Sequence, residues 1–202
     1  MKKRPFVISI SGISGAGKTS LVNRLTEYFG QEAIYVSLDE YYATTKFPEN
    51  DMEWVERGAD PNEIDDPKYL EDLFTLLSNG SIINPHTKLE VKSTKFIILD
   101  EPFGRSRYRM NEIIDLSVHI EIPLEIALAR RIQRQLMKDE EPEAFMKFAK
   151  EYIPNYLYNG YREFYLAVDR IAKQNCNLKL DGTKSLDDHL QTILNQLSRG
   201  NS

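Results

Sequence analysis

The sequence predicts an α/β protein in which helices cover both faces of a parallel sheet of about five strands, a three-layer sandwich. Two observations support this fold class. Short, continuous apolar runs recur along the chain, and segments with helical spacing separate them. Continuous runs, rather than strict alternation, are typical of strands buried on both faces of a parallel sheet. The length of 202 residues and a hydrophobic content of 41% favour one globular domain, which we place at 1–202.

The predicted strands and helices alternate along the chain. The five apolar runs lie at 6–10, 33–38, 96–99, 117–122 and 177–180. The last run is the weakest and stops at Asp181-Gly182. Helical spacing of apolar residues is found in three segments: Leu21, Leu25 and Phe29; Leu124, Leu128, Ile132 and Leu136; and Leu186, Leu190, Ile193, Leu194 and Leu197. Ser185 is suited to cap the last helix.

Composition excludes several classes of protein. A net charge of -5 argues against a globally basic nucleic-acid binder. Cys176 stands alone, so there is no internal disulfide and no cysteine cluster for zinc, and three scattered histidines do not suggest a metal site. The apolar run near the amino terminus ends at Gly12, too short to span a membrane. We therefore expect a cytoplasmic protein with neither nucleic acid nor membrane as partner, and a homo-oligomer stays open.

Residues 12–19 read G-I-S-G-A-G-K-T and match G-x-x-x-x-G-K-[ST] in full, directly after a predicted strand and at the start of a predicted helix. Glycines in such a loop let backbone N–H groups converge on phosphate oxygens, and the helix adds its positive end. We expect Lys18 to reach the β- and γ-phosphates and the Thr19 hydroxyl to bind Mg²⁺. The sequence thus predicts a P-loop nucleoside triphosphate hydrolase fold. The expected nucleotide-binding residues are Gly12, Ser14, Gly15, Ala16, Gly17, Lys18, Thr19 and Ser20.

Guanine specificity has little support in the sequence. A GTPase needs N/T-K-x-D and D-x-x-G, and the nearest segments, 87–90 and 100–103, each lack the last required residue. We therefore expect ATP and Mg²⁺ as cofactors, although the choice between ATP and GTP stays open.

The second predicted strand ends in Ser-Leu-Asp-Glu-Tyr-Tyr, with Asp39 in third place. A carboxylate at that strand end points into the crevice where a γ-phosphate and an acceptor meet, where it can orient an acceptor hydroxyl and help to organise Mg²⁺. An Asp at a strand end is also a common turn former. Its position one element after the phosphate-loop helix favours the catalytic interpretation.

The third apolar run is followed directly by Asp100 and Glu101, an arrangement resembling a Walker B acid. Either carboxylate could act on Mg²⁺ through water. A polar strand end without a role in metal binding is the alternative.

These motifs resemble the uridine kinase and nicotinamide riboside kinase group of P-loop kinases. S-L-D-E-Y-Y follows the phosphate loop, I-D-D-P at 64–67 resembles the F-D-H-P of uridine kinases, and 127–134 resembles an arginine-rich lid helix. L-D-G-T-K-S at 180–185 is similar to the turn that closes the adenine end of nicotinamide riboside kinases. The resemblance is collinear over about 6–197.

The resemblance implies roles for individual residues. Asp39 would be the catalytic base and a metal-organising carboxylate, Asp65 would hold the acceptor's ribose hydroxyls and Tyr42 would line the acceptor pocket. A segment at about 43–66 would cover the acceptor, and a lid at about 124–150 would close over the phosphates. The lid arginines would be Arg130, Arg131 and Arg134. Arg130 and Arg134 share a helix face, where a solvated basic surface is the alternative.

Two departures leave the acceptor open. The segment 82–95 is short and lacks the Tyr and His that pack on the base in uridine kinases. His86 could substitute for that histidine. Arg105, Arg107 and Arg109 could recognise an anionic acceptor, but an exposed basic loop is the favoured interpretation. The sequence therefore predicts an ATP-dependent kinase for a hydroxyl of a small metabolite, foremost a ribonucleoside such as uridine, cytidine or nicotinamide riboside. A kinase for a sugar phosphate or a pantothenate-like compound, and a non-catalytic nucleotide-binding regulatory protein, are the alternatives.

Overall fold

A computed structural model describes residues 3–138 and 141–199 of the chain. The predicted domain at 1–202 runs beyond these residues at both ends, and the predicted lid at 124–150 includes residues 139 and 140, which lie outside them. In chain order the elements are β1 (Phe6–Ser11), α1 (Lys18–Phe29), β2 (Ala33–Ser37), α2 (Asp51–Glu56), α3 (Pro67–Leu77), β3 (Ser81–Ile83), β4 (Glu90–Lys92), β5 (Phe96–Asp100), α4 (Tyr108–Ile113), β6 (Leu116–Glu121), α5 (Leu124–Lys138), α6 (Pro142–Tyr158), α7 (Tyr161–Gln174), β7 (Leu178–Asp181) and α8 (Leu186–Arg199). In this part of the chain, none of the helices has the length and apolar character needed to cross a membrane.

The main sheet has five strands in the order β2-β5-β1-β6-β7, and every neighbouring pair is parallel. The strands match the five predicted apolar runs, so the predicted sheet is confirmed. β1 lies between β5 and β6, with Ile10 opposite Asp100. The carboxyl ends of β1, β2 and β5 are therefore neighbours, and a crevice at this edge is where open α/β sheets bind ligands.

The two faces of the sheet bury different side chains because successive residues of a strand point in opposite directions. Ile8, Ile10 and Ile98 belong to a buried cluster with residues of α1 and α8. Val7 and Ile97 belong to a second buried cluster with residues of α3 and α4. Helices thus cover both faces of the sheet, and the three-layer sandwich is confirmed.

A third buried cluster lies beside the carboxyl edge of the sheet, where α2 and α7 meet. Trp54 of α2 is 1% exposed and packs with Phe103, Val168 and Ile171. This cluster joins the segment after β2 to α7. The antiparallel hairpin of β3 and β4 was not predicted, because three residues per strand are too few to show a period.

Candidate functional site

A cavity of about 520 Å³ lies at the carboxyl edge of the sheet. The phosphate loop and the start of α1 line it. Residues of the segment 38–64, residues after β5, the first turns of α7 and two arginines of α5 line it as well. The phosphate loop, the S-L-D-E-Y-Y segment and the arginine-rich helix thus converge on one space.

The phosphate loop has the expected backbone conformation. Gly15 has φ 89°, and a Cβ atom there would lie 2.4 Å from the carbonyl oxygen of Ala127 in α5, so only glycine fits. Among the expected nucleotide-binding residues, one does not line the cavity. The methyl group of Ala16 is buried in the core, and its N–H donates to the carbonyl of Ile13 at 3.0 Å. The cavity is lined by Gly12, Ser14, Gly15, Gly17, Lys18, Thr19 and Ser20.

Of the two acids after the third run, Asp100 lies beside the phosphate loop. One carboxylate oxygen is 3.9 Å from Nζ of Lys18, and the other accepts a hydrogen bond from the Thr19 hydroxyl at 3.5 Å. Burial raises the pKa of Asp100, and the Lys18 ammonium group partly opposes that rise. Asp100 therefore lies where a carboxylate and a hydroxyl could share a metal ion with phosphate oxygens.

Glu101 lies elsewhere, and its prediction as a metal ligand is wrong. Its side chain is fully buried, accepts a hydrogen bond from Arg107 at 2.7 Å and accepts another from the Phe103 N–H at 3.3 Å. Burial raises the pKa of Glu101, and the Arg107 guanidinium opposes that rise. Adjacent residues at a strand end point to opposite faces, so only one of the two acids can face the loop.

Asp39 lines the cavity from a 3-10 turn, Leu38–Thr44, that follows β2. Its backbone N–H donates to the Ser37 hydroxyl at 3.2 Å, which caps the turn. The turn is anchored by Tyr41, whose buried hydroxyl donates to the Asp72 carboxylate at 3.0 Å. The structure thus holds Asp39 at the cavity through contacts made by its neighbours.

Tyr42 also lines the cavity, as expected, whereas Asp65 does not. The Tyr42 ring lies 5.0 Å from the Phe47 ring. The Asp65 side chain is 61% exposed and lies 3.8 Å from the Lys46 ammonium group, with which it also shares a backbone bridge. Ile64 faces the cavity instead. The structure does not support Asp65 as a contact for ribose hydroxyls.

Arg130 and Arg134 of α5 line the cavity, and Arg131 does not. Arg130 donates to the carbonyl of Gly182 at 3.0 Å, in the turn after β7. Arg131 is 4% exposed and its guanidinium lies against the Tyr165 ring. The prediction that all three arginines face the phosphates is therefore wrong for Arg131, because adjacent residues of a helix, such as Arg130 and Arg131, project about 100° apart around its axis.

The segment after β5 was expected to be an exposed basic loop. That expectation is wrong for two of its three arginines. Arg107 is buried and pairs with both Asp66 and Glu101. Arg105 donates to two backbone carbonyls, those of Ile114 and Asp115. Arg109 is exposed, as is His86 in the β3–β4 turn. None of these four lines the cavity.

An aromatic wall of the cavity was missed in the sequence. Trp54 lies 6.2 Å from Phe103 and 5.8 Å from Phe164, measured between ring centroids, and its indole N–H donates to the carbonyl of Asp60. Asp51 adds a carboxylate beside these rings. The three rings of the wall come from separate stretches of the chain. No short sequence motif therefore predicts that they meet. The one available signal was that the single tryptophan lies in the segment expected to cover the acceptor.

Comparisons with known proteins agree with this geometry. Residues 7–79 match the family model of the Phosphoribulokinase / Uridine kinase family. A uridine kinase from Borrelia duttonii is 29% identical over 143 residues, which are 65% of this chain and 68% of that protein. A uridine kinase from Limosilactobacillus reuteri is 30% identical over 151 residues, 67% of each chain.

Among solved structures, a candidate fructose transport system kinase from Silicibacter sp. TM1040 superposes with a TM-score of 0.51. It is 16% identical to this chain, and the match covers 89% of this chain and 91% of that one. This likeness concerns the fold. Because a uridine kinase 30% identical to this chain matches over 67% of each protein, and residues 7–79 match the family model, the chain belongs to the phosphoribulokinase/uridine kinase family of kinases.

Proposed function

We propose that this kinase uses Mg·ATP to phosphorylate a hydroxyl of a ribonucleoside that carries no phosphate group. One observation carries the proposal: the phosphate loop, Asp39 and an aromatic wall line the same cavity. A γ-phosphate at the loop and a planar base at the wall would leave the acceptor hydroxyl near Asp39. Proximity of this kind supplies much of the catalysis of phosphoryl transfer.

The donor atoms around the loop fit Mg·ATP. Thr19, Asp100 and Asp39 offer oxygen ligands, which Mg²⁺ prefers, and one or two carboxylates with phosphate oxygens and water are its usual protein shell. When bound, Mg²⁺ neutralises phosphate charge and orients the β- and γ-phosphates. Lys18, Arg130 and Arg134 add three cations to the lining of the cavity.

Asp39 is the group proposed to handle the proton. The acceptor oxygen attacks the γ-phosphorus in line, the bond from that phosphorus to the β–γ bridging oxygen breaks, and the acceptor proton passes to the Asp39 carboxylate. ADP leaves with the bridging oxygen. Lys18 and the two lid arginines stabilise the charge that spreads over the transferred group.

The charges lining the cavity favour an acceptor without a phosphate group over a sugar phosphate. In the described part of the chain, the segment 38–64 contributes two charged residues to the cavity lining, Asp39 and Asp51, and both are carboxylates. Arg107, the strongest anion-binding candidate after β5, is already paired with Asp66 and Glu101. An anionic acceptor would meet repulsion there, whereas a pyrimidine or pyridinium base would pack against the accessible edges of the aromatic wall.

The test is coupled ADP release with Mg·ATP over uridine, cytidine, nicotinamide riboside, pantothenate and ribose 5-phosphate. We expect nucleoside-dependent turnover that falls at least about a hundredfold in Asp39→Asn, with a much smaller loss of nucleotide affinity. Glu40→Gln is the matched control, because Glu40 is adjacent but does not line the cavity. Nucleotide binding without turnover on any nucleoside, or a preference for the sugar phosphate, would overturn the proposal.

A further inference from the structure

Arg131 of α5 lies inside a cage of three tyrosine rings. Its guanidinium carbon is 4.0 Å from the ring centroid of Tyr165, 5.3 Å from that of Tyr156 and 5.6 Å from that of Tyr152. The residue is 4% exposed. We call these four residues the arginine cage.

Burial of the caged guanidinium is unfavourable in free energy. All three of its nitrogen atoms are inaccessible to solvent and have no hydrogen-bond partner among residues 3–138 and 141–199. Ring faces attract a cation, but they do not replace hydrogen-bond acceptors. An apolar side chain of similar size would fill the same space without that cost. A packing role alone therefore does not explain an arginine at this position.

The arginine cage shares a wall with the cavity. Tyr165 of α7 contacts Arg131 and also lines the cavity, while Tyr152 and Tyr156 belong to α6. One cation on α5 thus contacts rings from both following helices. Arg130 precedes it and Arg134 follows it by one helical turn, and both of those line the cavity.

We propose that Arg131 is a positioning residue that fixes the rotation of α5 about its axis, so that Arg130 and Arg134 face the nucleotide phosphates. Consecutive residues of a helix are separated by about 100° around its axis, so a rotation by one residue would turn both arginines away from the cavity. The flat guanidinium meets three rings and suits this role, because its stacking depends on orientation. The inference rests on the proposed function for the ligand that the arginines meet.

The test compares Arg131→Met with Arg170→Met, since Arg170 is an exposed arginine of α7 outside the cage. Affinity for the non-hydrolysable β,γ-imido analogue of ATP with Mg²⁺ is measured by calorimetry without acceptor, well below each variant's Tm. We expect about tenfold weaker binding in Arg131→Met with an equal or higher Tm, a smaller loss in Arg131→Lys, and wild-type binding in Arg170→Met. The KM for a nucleoside acceptor should not change.

Binding of the analogue by Arg131→Met within twofold of wild type would overturn the inference, whatever happens to Tm. If that variant does not fold, Tyr156→Phe and Tyr156→Leu decide, because Tyr156 belongs to the cage but does not line the cavity. The phenylalanine should bind normally and the leucine weakly, and equal binding by both would overturn the inference. A wild-type protein that binds the analogue but phosphorylates no acceptor would refute the proposed function alone.

Discussion

The carboxylates of Asp100 and Glu101, neighbours in sequence, face opposite sides of the sheet. The first lies 3.9 Å from the Lys18 ammonium group, and the second is fully buried against Arg107. Only Asp100 is therefore available to the nucleotide side of the sheet. Its burial raises its pKa above the ordinary value of 3.8, and this has a measurable consequence for stability.

Asp100→Asn should change the pH dependence of stability. The raised pKa of Asp100 means that the folded state binds this proton more readily than the unfolded state, so stability present below pH 3.8 is lost as the pH rises through the raised pKa. The variant lacks that loss. Urea unfolding across acidic to neutral pH should therefore show a stability difference that moves in the variant's favour. A constant difference between Asp100→Asn and the wild type across this pH range would contradict the prediction.

Trp54 should report acceptor binding through its fluorescence. It is the single tryptophan of the chain and lines the cavity beside Phe103 and Phe164. A base packed against the accessible edge of this wall would alter the surroundings of the indole ring. Titration with a nucleoside that is turned over should change the emission, and Trp54→Phe should abolish the signal. An unchanged spectrum at saturating acceptor would place the acceptor elsewhere.

Arg107→Met should be strongly destabilising. The substitution leaves the buried carboxylates of Asp66 and Glu101 without their cation, and uncompensated buried charge typically costs about 3–5 kcal/mol. Arg109→Met, two residues along and exposed, should change the free energy of unfolding by less than about 0.5 kcal/mol. Equal effects of the two substitutions in urea unfolding would show that the buried pairs contribute little.

Two glycines of the phosphate loop should respond differently to alanine. At Gly17, with φ 102°, a Cβ atom would meet no atom within 4 Å, so the cost is backbone strain of about 1–3 kcal/mol. At Gly15 the same atom would also collide with the backbone of Ala127 and displace α5. Thermal unfolding should show a larger loss for Gly15→Ala. A larger loss for Gly17→Ala would mean that α5 moves away from the added methyl group without a measurable loss of stability.

The fold was predictable because its signals are local. Each strand of the main sheet is one apolar run, and the phosphate loop is one motif between a strand and a helix. In the site, the direction of a side chain could be predicted where the residue belongs to a motif of defined backbone conformation, as for Lys18 and Thr19 in the phosphate loop. Arg131 and Glu101 each follow a residue that lines the cavity, and a sequence does not reveal which of two neighbours faces it.

The aromatic wall and the cluster of Arg107, Asp66 and Glu101 join residues that are distant in sequence. Trp54 meets Phe103 and Phe164 only after the sheet and α7 have formed. Similarly, Arg107 is buried rather than exposed because the carboxylates of Asp66 and Glu101, from different parts of the chain, pair with it. Such contacts are consequences of tertiary packing, and no period or motif encodes them.

Phe164 and Tyr165 are consecutive on α7, yet one meets Trp54 and the other meets Arg131. A single helix therefore touches the wall proposed for the acceptor and the cage proposed to orient the lid arginines. If acceptor binding at the wall shifted α7, the shift would change the contacts of the arginine cage. If nucleotide binding moved the cage, the movement would likewise change the wall. The two dissociation constants would then be linked thermodynamically, and the factor by which the acceptor tightens nucleotide binding must equal the factor by which nucleotide tightens acceptor binding.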